Sequence, residues 1–155
     1  AAGVNANTIR QTIEKLVSEK YITKEIAGKI NARAILDFFT SDLGKLIRNG
    51  KNKVMREWPF TYATNVSELY PEMKNCQDEK IIVQGIIDML VQTQDGAVII
   101  DFKTDRGKQE EVSLRAEKYA SQIKWYCKAA AGILGLKKIE GHLYFLNANT
   151  SVKVL

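Results

Sequence analysis

Apolar residues recur at helical spacing through the first fifty positions and at strand spacing beyond them. Ile9, Ile13, Leu16 and Val17 fall on one face if residues 7–20 (NTIRQTIEKLVSEK) are helical, with Asn7 or Thr8 as the cap. Tyr21-Ile22-Thr23 breaks that pattern, and Thr23 with Glu25-Ile26 opens a second helix to about residue 32. A third helix is predicted over 33–48, burying Leu36, Phe39, Leu43 and Ile47. Gly50-Lys51-Asn52-Lys53 is a basic turn leading into a strand at 54–61. Pro59 inside that strand cannot donate to a ladder, which calls for an edge or strand-end position. Residues 63–79 read as a polar loop, with a short helix around 66–69.

Residues 81–106 (IIVQGIIDMLVQTQDGAVIIDFKTDR) form two apolar runs joined by a turn at Asp95-Gly96, a hairpin signal. A long helix is predicted over roughly 110–135, ending at Gly135. Two strands at 141–147 and 151–155 close the chain. Helices and strands in this order predict an α/β fold, with a mixed central sheet that holds the antiparallel hairpin and helices that flank it. One domain is expected over residues 1–155, with a helical part at 1–50 and a core at 51–155.

Polar residues interrupt the hairpin at three places. Asp88 follows Gly85-Ile86-Ile87, and Asp101 and Lys103 lie two apart in Ile-Ile-Asp-Phe-Lys. Strand residues two apart share a face. A symmetric turn centred on Asp95-Gly96 sets Asp88 opposite Lys103 and diagonal to Asp101, with diagonal Cβ atoms about 7–8 Å apart. A D-x-K on a surface hairpin is commonly a salt bridge and no more. Here the carboxylates stand within β-branched apolar segments, where a charge without a partner is costly, and that favours a functional site. Two neighbouring carboxylates are relieved by a cation. Hard oxygen ligands suit magnesium or manganese, and an adjacent ammonium suits a phosphate substrate.

Composition narrows the classes. The chain has 155 residues, 45% of them hydrophobic, and no run long enough to span a membrane. No secretory signal is visible at its polar start, and Cys76 and Cys127 are too few and too far apart for a zinc or iron–sulfur centre. Both points suggest a reducing cytoplasm. The net charge of +5 is uneven: eleven basic against six acidic residues over 1–60, two against six over 61–100, and ten against six over 101–155. An acidic centre between basic flanks suits a nucleic-acid enzyme, though ordinary domains share such a balance. No G-x-x-x-x-G-K-[ST] occurs, so ATP hydrolysis is not encoded here.

G-I-I-D, a gap of twelve residues and D-F-K-T-D, followed by Gln122-Ile-Lys-Trp-Tyr126, resemble the PD-(D/E)XK nuclease superfamily in its RecB-like branch, whose Q-x-x-x-Y motif follows the core. Segments 56–60 (REWPF) and 119–126 (YASQIKWY) are similar as well. The resemblance implies a restriction-endonuclease-like fold and a metal-dependent DNA exonuclease. It implies Asp88 and Asp101 as metal ligands with the Phe102 carbonyl as another, and Lys103 as the catalytic lysine. Gln122 and Tyr126 would contact the DNA strand or steady the metal site. Glu57 matches a glutamate common in the branch. The implied setting is an ATP-dependent helicase–nuclease acting in double-strand-break repair and recombination. Its cofactor would be Mg²⁺ or Mn²⁺, and its partners DNA and a second subunit of the AddB/RexB kind.

From spacing alone, Gln122 and Tyr126 read equally as rim and core of a helix, and His142 as structural. The branch usually carries an upstream G-T-x-x-H helix, absent here. The opening at Ala1-Ala2-Gly3 therefore suggests a piece beginning downstream of that histidine. The alternative expectation is a nuclease-like module that binds nucleic acid or a partner protein without cutting.

Overall fold

A computed structural model describes residues 3–73, 75, 79–105 and 111–155. Cys76, the Arg106-Gly107-Lys108 connection and the first residues of the predicted long helix lie outside these. Four short helices come first: α1 (Ala6–Ser18), α2 (Lys24–Lys29), α3 (Ala32–Thr40) and α4 (Asp42–Arg48). The cap of α1 is Asn5, not Asn7 or Thr8. Its side chain accepts the Thr8 amide while the Thr8 hydroxyl answers the Asn5 amide, a reciprocal capping box.

The single helix expected over 33–48 is two helices. Ser41 adopts an extended backbone, donates its hydroxyl to the Phe38 carbonyl at 2.6 Å and accepts the Gly44 amide at 3.2 Å. One serine thus closes α3 and caps α4. Gly44 lets the two helices meet, since a Cβ there would stand 2.2 Å from the Phe38 carbonyl oxygen.

The sheet follows, with β1 (Lys53–Asn65), β2 (Lys80–Gln92), β3 (Ala97–Lys103), β4 (Ile139–Phe145) and β5 (Thr150–Lys153) side by side in chain order. Helix α5 (Val66–Leu69) lies between β1 and β2, and α6 (Val112–Leu134) between β3 and β4. All neighbouring pairs are antiparallel except β3–β4, which is parallel and joined through α6. The architecture is the expected α/β arrangement, a mixed sheet flanked by helices and consistent with a restriction-endonuclease-like fold. Strand β1 is an edge, and it accommodates Pro59 as expected.

Two apolar layers hold the sheet. Phe60, Ile87, Leu90, Ile99, Leu143 and Phe145 pack with Ile123, Cys127 and Ala130 of α6 on one face. Met89, Val91, Val98, Ile100 and Tyr144 pack with Phe38 and Leu43 of α3 and α4 on the other. Strand β3 is covered on both faces, which explains its unbroken apolar run from Ala97 to Ile100. Burial pushes the Cys127 thiol up to about 12, so it packs as a small apolar group.

Candidate active site

The hairpin register differs from the symmetric-turn expectation by two residues. Gln92 pairs with Ala97, Leu90 with Ile99 and Met89 with Ile100, so a four-residue loop, Thr93–Gly96, joins the strands. Gly96 serves a close approach: a Cβ there would stand 2.2 Å from the Lys138 carbonyl oxygen, which also accepts the Ala97 amide. A shift of two preserves the pleat. Continued one step past the last formed pair, the register sets Asp88 opposite Asp101, where a symmetric turn would have set it opposite Lys103.

The ladder stops at this step because Asp88 replaces it. Asp88 Oδ2 accepts the Phe102 amide at 2.9 Å, a side chain standing in for a strand carbonyl. Strand β1 shows the cause. Pairing is uniform along β1 and β2 apart from the omission of Glu57, which the register sets opposite Asp88. Glu57 has φ 49°, a left-handed backbone that a glutamate rarely adopts. Side-chain alternation inverts there in both strands. Val54 packs towards α3 and α4, whereas Trp58, Phe60 and Tyr62, at even positions like Val54, pack towards α6. On β2, Leu90 and Ile87 both pack towards α6, although Asp88 and Met89 separate them.

A matched kink in two paired strands therefore aims Asp88 into the gap beside β3. Left-handed backbone at a non-glycine costs about 1–2 kcal/mol. Glu57→Gly is expected to keep the kink and raise stability by about 1 kcal/mol, as read from urea unfolding. A fall in stability would mean that the Glu57 side chain holds the kink.

Asp101 and Lys103 project towards α6. Their Oδ2 and Nζ atoms are 2.7 Å apart, with the carboxylate side chain 4% and the lysine 15% exposed. Burial holds the Asp101 carboxyl above its ordinary value, Asp88 adds to the rise, and Lys103 opposes it. Lys103 Nζ also donates to Gln122 Oε1 at 3.3 Å, and Gln122 Nε2 donates to the Tyr126 hydroxyl at 2.8 Å. The Q-x-x-x-Y pair is thus in the site, turned towards the lysine. Gly85 makes room for it, since a Cβ at that position would meet Phe60 at 2.8 Å and Tyr126 at 3.1 Å.

Two participants escaped the sequence reading as site residues. The Lys103 ammonium lies 4.1 Å from the centre of the Tyr119 ring, and the Tyr119 hydroxyl donates to Asp105 Oδ2 at 2.8 Å. Tyr119 read as one apolar residue of a helical stripe, and its spacing of three from Gln122 was the available signal. Donation to the Asp105 carboxylate, then burial, raise the Tyr119 hydroxyl above its usual value and keep the phenol neutral. His142 lies on the opposite sheet face, between Glu140 at 3.5 Å and Ser151 at 3.3 Å, the structural role expected of it. Burial lowers its pKa despite Glu140. Trp125 packs beside the Lys128 ammonium, and Lys128 pairs with Glu68 of α5.

Does this donor set suit a cation? Asp101 Oδ2 is buried and lacks a hydrogen-bond partner, because the lysine meets it as an ion pair outside hydrogen-bonding angles. A buried oxygen of that kind keeps a lone pair for a metal. With Asp88 it makes a two-carboxylate, all-oxygen set that fits magnesium or manganese. Among the described residues no three His, Cys, Asp or Glu gather, so backbone oxygen and water would complete the shell.

A family model described as the PD-(D/E)XK nuclease superfamily matches residues 4–153. Curated relatives agree, each bearing the name of the first subunit of an ATP-dependent helicase/nuclease. That of Ligilactobacillus salivarius is 34% identical over 149 residues, 96% of this chain and 12% of the relative. That of Pelotomaculum thermopropionicum is 35% identical over 153 residues, 97% of this chain and 12% of the relative. That of Moorella thermoacetica is 35% identical over 153 residues, 97% and 11% respectively. The chain spans about an eighth of the length of the relatives it matches.

Proposed function

Because the chain belongs to the PD-(D/E)XK nuclease superfamily, we propose that it is the metal-dependent exonuclease part of an ATP-dependent helicase/nuclease, hydrolysing DNA phosphodiesters in double-strand-break repair and recombination. The observation that carries this reading is the convergence of Asp88, Asp101 and Lys103 on one gap at the end of the β2–β3 ladder. Asp88 and Asp101 would hold Mg²⁺ or Mn²⁺. In an extended strand the amide and carbonyl of one residue face the same neighbour, so the Phe102 carbonyl faces the gap that Asp88 closes and would be a third ligand. The ion would supply Lewis-acid polarisation and a water of lowered pKa.

The chain's own groups do the rest. Lys103, held nearly dry, places a fixed positive charge where a phosphate oxygen gains negative charge. Gln122 and Tyr126 hold that ammonium from α6 and line the side on which a strand would pass. The relatives' name supports a motor elsewhere in a longer chain that feeds DNA to this site, with a second protein of the AddB/RexB kind as partner. Work of this sort on DNA would be done in the cytoplasm. No helix among the described residues is long and apolar enough to cross a membrane.

Calorimetric titration of Mn²⁺ into this chain and its Asp88→Ala variant tests the reading. Binding that weakens at least about tenfold in the variant is the expected result. Absence of binding to both would favour the non-cutting module, and the nuclease reading of this chain would fall.

A further inference from the structure

The surroundings of Lys103 extend beyond the residues assigned above. Its ammonium is bounded by the Asp101 carboxylate at 2.7 Å, the Gln122 amide oxygen at 3.3 Å and the face of the Tyr119 ring at 4.1 Å. These contacts differ in what happens when Asp101 serves as a ligand. The carboxylate must then share its charge, while the ring and the amide are left to hold the ammonium. Of the two, the amide contact is the longer side of normal for a hydrogen bond. A neutral aromatic face attracts a desolvated ammonium strongly, since little water competes.

We infer that Tyr119 is a positioning residue for this nuclease site, its ring serving as the platform on which Lys103 stays in place while Asp101 is engaged. The ring is fixed from behind. Its hydroxyl donates to Asp105 Oδ2 at 2.8 Å, and the Asp105 backbone carbonyl accepts from Arg115 Nη1 at 3.1 Å, one helical turn before Tyr119 on α6. Asp105 lies two residues after Lys103, just past the strand that carries it. The tether therefore closes a small loop from the lysine through the end of β3 to the ring and back across the ammonium. Such a loop sets the distance between lysine and ring independently of the substrate. A phenol held this way is rigid at little entropic cost, having two side-chain torsions to order. Tyr119 also touches the apolar layer under α6, so a packing role alone is the competing account.

The inference rests on the nuclease reading only for its kinetic arm. In that arm, Tyr119→Leu is expected to lower the single-turnover rate on an end-labelled DNA oligonucleotide with Mn²⁺ about tenfold, leaving DNA affinity within about twofold. Tyr119→Phe keeps the ring, loses the tether, and should recover most of that rate. In the spectroscopic arm, metal-free protein labelled with ¹³C in lysine should show one ε-methylene signal displaced upfield by the ring current. Lys103→Arg assigns that signal. It should persist in Tyr119→Phe and return to the ordinary lysine cluster in Tyr119→Leu. An undisplaced signal in the unaltered chain, or equal rates for the leucine variant and the parent, would overturn the platform. Equal losses in the leucine and phenylalanine variants would also overturn it, leaving packing or the hydroxyl as the cause. If the parent cuts no DNA with Mn²⁺ or Mg²⁺, the nuclease reading of this chain fails, and the spectroscopic arm alone decides whether Tyr119 holds Lys103.

Discussion

Asp101→Asn is expected to reduce DNA cleavage by about a thousandfold or more while leaving the circular-dichroism spectrum unchanged. The substitution conserves shape in the most enclosed strand of the sheet, where the side chain is almost wholly buried. What it removes is a negative charge and an oxygen that accepts no hydrogen bond in the folded chain. An amide can fill that space but is a weak ligand for a hard cation. Stability supplies a second readout in chelator. Burial raises the Asp101 carboxyl above its unfolded value. The folded state therefore holds the proton more tightly, and the stability this contributes at low pH is lost as pH climbs through the folded value. The asparagine variant does not titrate, so its melting temperature should vary less between acid and neutral pH. Cleavage at the parental rate would remove Asp101 from the site altogether.

Lys103→Met is expected to cost about a hundredfold in single-turnover rate, with DNA affinity changed by no more than about twofold. Methionine matches the aliphatic stem and tolerates the enclosed surroundings, so the loss reports on the charge. An equal loss in affinity would mean that Lys103 serves as a phosphate clamp formed before the chemistry. The variant should also melt lower at neutral pH, because Asp101 keeps its burial and loses its ion-pair partner. Combining it with Asp101→Asn removes both charges and should restore the melting temperature without restoring cleavage, since exchanging both partners of a buried pair is far milder than removing one. A double variant that melts as low as the single would show that the lysine stem, not the pair, holds this part of the sheet.

Most elements were legible because they depend on local periodicity. The α1 stripe, the edge position of Pro59 and the left-handed Gly135 that ends α6 each follow from a few neighbouring residues. Asp101 and Lys103 share a face for the same reason. The division of 33–48 at Ser41 was less visible. It depends on a serine hydroxyl with two backbone partners and on a glycine that lets α3 and α4 touch.

By itself the sequence determined the kinds of element, their order and the spacing of Asp88, Asp101, Lys103, Gln122 and Tyr126, because 3.6- and 2-residue periods are properties of the backbone. Only the tertiary structure decided which groups meet. The loop at Thr93–Gly96 follows from the Lys138 carbonyl, which approaches from the far side of α6 in the chain and accompanies a register moved by two. The kink that turns Asp88 towards Phe102 is shared with Glu57 on another strand. Packing α6 over β3 brings Gln122 and Tyr119 to the lysine. Those distances are set by long-range packing, which no local period encodes.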